Sequence, residues 1–149
     1  MNKKFSLLFS MIVLTLTYGN CAMADEFEQL FTQKYKNEML PELRLSKTDR
    51  YKANGMTEAQ INSQLDKLAD KAANCQFRTF QAYETRYQKL AFDALLAGGS
   101  TEEASIELNE ALESDVNKGR LSATDVSGRV KKAMDLYATC VVNSGLVDN

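Results

Sequence analysis

Residues 57–99 read TEAQINSQLDKLADKAANCQFRTFQAYETRYQKLAFDALLAGG, and this stretch decides the fold. No Pro or Gly interrupts it before Gly98. Thr57 and Gln60 have the spacing of a capping box, and Met56 is placed to staple onto Ile61. Ile61, Leu65, Leu68, Ala72 and Cys75 recur at helical spacing, and Phe80, Tyr83, Tyr87, Leu90 and Ala94 carry the stripe onward. The second stripe is rotated from the first by roughly tens of degrees at 100° per residue. Phe92 and Leu96 lie off it, as in a helix contacted from two sides. An unbroken helix over this stretch would span about 60 Å, whereas the return segment 101–121 covers only about 40 Å. A bend or break near residues 76–79 resolves that mismatch.

The flanking sequence adds three more helices. Helix 1 is expected over Glu26–Met39, burying Phe27, Leu30, Phe31 and Tyr35, with Pro41 ending or bending it. Residues 42–56 read as a connection, anchored by Leu43 and Leu45 and closed by the turn signal Asn54-Gly55. Ser100 and Glu103 cap a third helix over Thr101–Ser114, which buries Ala104, Leu108, Ala111 and Leu112; residues 117–119 turn. Ser122 and Asp125 start a fourth, with Leu121 stapling onto Val126. It buries Val126, Val130, Ala133, Tyr137 and Cys140 and stops near Asn143 with Gly145 as cap. The fold class is therefore all-α: a small four-helix bundle-like domain whose helix 2 is long.

Residues 1–24 have the organisation of a cleavable signal peptide. Lys3 and Lys4 precede an apolar run from Phe5 to Tyr18, and Ala22-Met23-Ala24 has the A-x-A form of a signal peptidase site. That run is short of the ~20 residues a spanning helix needs, so no membrane insertion is expected after cleavage. The expected mature chain, 25–149, is a single helical domain destined for the periplasm or the medium. Two cysteines remain in it, Cys75 and Cys140, and an even count in an exported chain predicts a disulfide between them. A further regularity links the two. At an offset of 65, Thr57 to Cys75 maps onto Ser122 to Cys140, pairing the caps, Ile61 with Val126, Leu65 with Val130, Asp70 with Asp135 and Ala73 with Ala138. A single pair of copies is weak evidence of a true repeat.

Composition narrows the chemistry. The chain has no His, which excludes Ser–His–Asp and Cys–His machinery and His-ligated zinc. No phosphate loop, CxxC, EF-hand or GxSxG motif occurs, so no catalytic residue, metal or cofactor is assigned. The formal net charge is −2, and more negative without the two leader lysines, which disfavours nucleic acid as a partner. Two segments are candidate contact surfaces for a partner protein. Glu103, Glu107 and Glu110 share one helix face in a stretch with no base from Asp93 to Asp115, suited to steering a cationic partner. Arg50 and Tyr51 belong to a basic linker, Arg44–Lys52, suited to an anionic group.

The layout resembles that of small periplasmic immunity and inhibitor proteins, a likeness of style without a shared motif. The functional expectation is an exported helical protein that sequesters another protein. The alternatives are an envelope structural or stress-chaperone protein and, weakest, an enzyme working through carboxylates.

Overall fold

The computed structural model describes the backbone of residues 6–146 and the side chains of residues 23–146. The expected leader therefore lies outside the described side chains except for Met23 and Ala24. The described chain is helical throughout, with helices α1 (Ser6–Ala53), α2 (Glu58–Arg78), α3 (Thr85–Leu96), α4 (Thr101–Asn117) and α5 (Ala123–Ser144). A short 3-10 turn, Thr79–Ala82, joins α2 to α3. Among the described residues no helix is long and apolar enough to cross a membrane.

Two expectations are corrected here. The 42–56 connection is helix as far as Ala53, with Pro41 inside α1. Proline in a helix interior costs about 3 kcal/mol through its missing donor and ring clash, but α1 is fastened to α2 on both sides of it. Lys36 bridges Asp66 and Asp70 at 2.8 Å each. Beyond the proline, Arg44 donates to Asn62 at 2.9 Å and Lys52 pairs with Glu58 at 2.9 Å. Leu45, offered as an anchor, points into solvent. The turn at Asn54-Gly55 then reverses the chain, with Gly55 at φ 78°.

The second concerns helix 2, expected to be long with a bend or break near 76–79: it is two helices, α2 and α3. Thr79 bonds back to the Gln76 carbonyl at 2.7 Å, and Tyr83 and Glu84 adopt extended backbone before α3 begins. The break lies at 79–84, just past the expected position. It turns Phe80 inward and lets the stripe resume on Tyr87, Ala91 and Leu95. Leu90 and Leu96, freed by the same rotation, are exposed, while Phe92 is buried. The α3–α4 turn is tight: a Cβ on Gly99 would sit 2.9 Å from the Ala94 carbonyl oxygen.

The core is aromatic. Phe27 touches Phe31, Phe77, Phe80 and Phe92 with ring centroids 5.0–6.1 Å apart, three of the four edge-on, the geometry that ring quadrupoles favour. Tyr87, Leu95, Ala104, Leu108 and Leu112 complete the cluster, and Met23 packs against its edge. Contacts from α1 also lock the α3–α4 turn. Lys34 donates to the Gly99 carbonyl at 2.8 Å, and the Glu38 carboxylate accepts from the Thr101 amide and hydroxyl, capping α4 from outside. All three capping boxes form: Thr57–Gln60, Ser100–Glu103 and Ser122–Asp125.

The predicted disulfide is present, with Cys75 and Cys140 joined at 2.06 Å. It fixes α5 to α2. Yet α5 contributes no residue to the aromatic core; it rests on α2 and the 3-10 turn at its edge. Of the five residues expected to be buried on this helix, only Ala133 and Cys140 are. Val130 and Tyr137 are exposed and Val126 is half-buried. The amphipathic pattern marks a face that can be covered, and among the described residues no helix lies over its Val130, Met134 and Tyr137.

Candidate functional site

The uncovered face of α5 opens onto a cleft. Its walls are Leu108 and Asn109 from α4, Phe80 at the floor, and Val130, Met134 and Tyr137 from α5, and its volume is about 490 Å³. The concavity continues toward the α4–α5 turn past Asn109, Leu112 and Val126. The two helices are consecutive and joined by a short turn, but they splay instead of closing on each other. Ser105, Asn109, Gln76 and Thr79 supply the few polar atoms along the cleft. An apolar surface with sparse polar groups is the usual make-up of a binding concavity.

The offset pairing of α2 with α5 shows what is missing. Ile61, Leu65 and Ala69 of α2 are 1%, 0% and 0% exposed, because α1 lies over them. Their counterparts 65 residues on are Val126, Val130 and Met134. Val130 is 41% and Met134 65% exposed. Both helices start at a capping box and carry one half of the disulfide, but among the described residues only α2 has a helix lying over this stripe.

The sequence-derived candidates fall on separate surfaces. Glu107 and Glu110 are exposed on α4, on the side away from the Ser105–Leu108–Asn109 wall. Glu103 is committed to its cap: its carboxylate accepts from the Ser100 amide at 2.6 Å, and those bonds hold its pKa below the ordinary carboxylate range. Arg50 and Tyr51 stand in the last turn of α1, about 18 Å along the helix from the Glu38–Thr101 contact. They line a second groove with Leu43, Lys47, Leu68 and Val141. Tyr137 forms part of both concavities.

Sequence reasoning did not find the buried charge network beside α3. Asp115 is buried, and its carboxylate accepts from the Tyr87 hydroxyl at 2.5 Å, from Arg86 at 2.7 Å and from Arg120 Nε at 2.8 Å. The Arg86 guanidinium also lies over the Tyr87 ring, 4.4 Å from its centroid. Glu84 holds Arg86 and, at 2.8 Å, Arg129 of α5. The Tyr87 hydrogen bond, followed by that from Arg120, keeps the Asp115 pKa below its ordinary value, while burial and then the bond to Asp115 raise that of Tyr87. A carboxylate held ionised by three donors is a structural tie and a poor proton acceptor. Its bonds from Tyr87 and Arg86 to Asp115 and from Arg129 to Glu84 link positions 28 or more residues apart, a distance at which local sequence pattern carries no signal. Among the described residues no three acidic or cysteine side chains converge as a metal site.

No family model matches the chain, and no curated protein or solved structure matches it.

Proposed function

We propose that this protein is an exported binding module that captures one amphipathic helix of a partner protein on α5, in the cleft between α4 and α5. The observation that carries the reading is the unequal fate of two matching stripes: Ile61, Leu65 and Ala69 lie under α1, whereas Val126 is half-buried and Val130 and Met134 lie open. A partner helix on α5 would do for it what α1 does for α2. Helix-in-groove recognition works through anchors that share one helix face, at i, i+3, i+4 and i+7, and each large apolar side chain fully removed from water contributes about 1.5–3 kcal/mol. The flexible Met134 beside the rigid Tyr137 suits a surface that adapts to its ligand. The two-cysteine mature chain and the signal-like residues 1–24 support action outside the cytoplasm.

The test is capture of a stoichiometric partner from an envelope extract by mature protein carrying Val130→Asp or Met134→Lys. Loss of the partner with these variants, and its retention with Glu107→Lys and Glu110→Lys, supports the α5 surface. The reverse pattern places the contact on the acidic face instead. Glu103 is left unchanged, because its substitution breaks a helix cap. A light-scattering mass measurement on the free protein separates capture of a partner from pairing of two copies through α5.

A further inference from the structure

The second groove differs in chemistry from the α4–α5 cleft. It lies where the C-terminal half of α1, the middle of α2 and the end of α5 meet, and encloses about 490 Å³, well within the range of small-molecule sites. Met39, Leu43, Leu68, Ala72, Val141 and Leu146 give it an apolar floor. Among the described residues its polar lining is Lys47, Arg50, Tyr51, Gln64 and Tyr137, with no carboxylate. In a chain of net charge −2 that is a local reversal of sign. Seven cations, Lys36, Lys52, Lys89, Lys131, Arg86, Arg120 and Arg129, form ion pairs. Among the described residues, Lys47 and Arg50 are not partners in any of these ion pairs, nor in the side-chain bonds that engage Lys34 and Arg44.

We propose that this groove binds a single-chain anionic amphiphile, a long-chain carboxylate, with the chain on the apolar floor and the head group between Lys47 and Arg50. The two halves of such a ligand meet the two halves of the site. Its hydrocarbon covers the floor, and its carboxylate takes a fork of donors from the Arg50 guanidinium with the Lys47 ammonium as a second point charge. The phenol hydroxyls of Tyr51 and Tyr137 and the Gln64 amide add neutral donors on the same lining. A neutral lipid satisfies only the floor, and a short carboxylate only the mouth.

Calorimetric titration of oxidised mature protein with dodecanoate, below its micellar concentration, tests this directly. One-to-one binding is expected, with methyl dodecanoate weaker by about tenfold or more, the loss of roughly one charge-assisted bond, and acetate weaker still because it leaves the apolar floor uncovered. Lys47→Gln with Arg50→Gln should weaken dodecanoate to a similar degree while leaving the thermal unfolding midpoint in place, since neither side chain makes a tie that holds the fold. Val130→Asp, in the other cleft, should leave it unchanged. No binding of dodecanoate overturns the proposal. So does equal binding of acid and ester, or a loss caused by Val130→Asp and not by the double variant, which would put the chain in the α4–α5 cleft.

Discussion

At the scale of single residues, the tightest polar tie is Asp115. Its folded-state pKa lies below the ordinary value of 3.8, so its contribution to stability is complete above that value and is lost as the pH falls through the lower folded value. Glu84, Glu103 and Asp125 are lowered too and act in the same direction. Tyr87 has the opposite sign. Its folded pKa is raised above 10.0, so its contribution is complete below pH 10.0 and is lost as the pH rises through the folded value. Urea unfolding across the pH range should therefore give a stability plateau with both shoulders. Asp115→Asn should lower the plateau and flatten the acid shoulder without abolishing it. Tyr87→Phe should flatten the alkaline one. An acid shoulder as steep in Asp115→Asn as in the wild type would show that the carboxylate is not held by its three donors. Phe27 is the apolar counterpart: it meets four other rings, and Phe27→Ala should cost about 3–5 kcal/mol in the same assay.

At the scale of elements, α1 shows a tertiary contact set overriding a local signal. Pro41 is exposed and sits inside a helix tied to α2 by Lys36 on one side and Arg44 on the other. Pro41→Ala restores the missing donor and should stabilise the protein by about 2 kcal/mol, the helix-interior cost less the entropy that proline removes from the unfolded chain. A drop in stability would mean that the proline relieves strain in α1. The three capping boxes were legible because a cap is decided within four residues. The disulfide was legible because only two cysteines follow the expected leader. The break after α2 was half legible, as a rotation between two stripes, but its position depends on Phe80 reaching Phe27 and Phe31. The 42–53 helix was not legible, because its stabilising partners, Asn62 and Glu58, belong to another element. Nor was the exposure of Val130 and Tyr137: an apolar stripe records what a helix can bury, and what lies over it is set by the rest of the fold. For the same reason Arg50 and Tyr51 were singled out without the groove that they line.

The whole molecule divides unequally at α5. The aromatic core is built from α1, the end of α2, the 3-10 turn, α3 and α4, and α5 adds nothing to it. Among the described residues α5 is held by the Cys75–Cys140 bond, by its contacts with α2 and the 3-10 turn, and by Arg129, which pairs with Glu84 at 2.8 Å and lies 5.7 Å from the Tyr87 ring centroid. The disulfide closes a loop between residues 65 apart, and chain entropy assigns that about 4 kcal/mol as an upper figure. Reduction should therefore act on α5 first and on the core only later. Hydrogen exchange followed peptide by peptide, with and without a reductant, measures this. Amides of residues 126–142 should lose protection on reduction, while those of 61–73 and 104–112 retain most of theirs, because their cover comes from α1 and α3. Cys75→Ser with Cys140→Ser should reproduce the pattern without reductant. Release of α5 removes one wall from each concavity, so the reduced protein should also lose dodecanoate binding and partner capture together. Uniform loss of protection across all five helices would instead make the molecule one cooperative unit, with α5 as integral to it as α2.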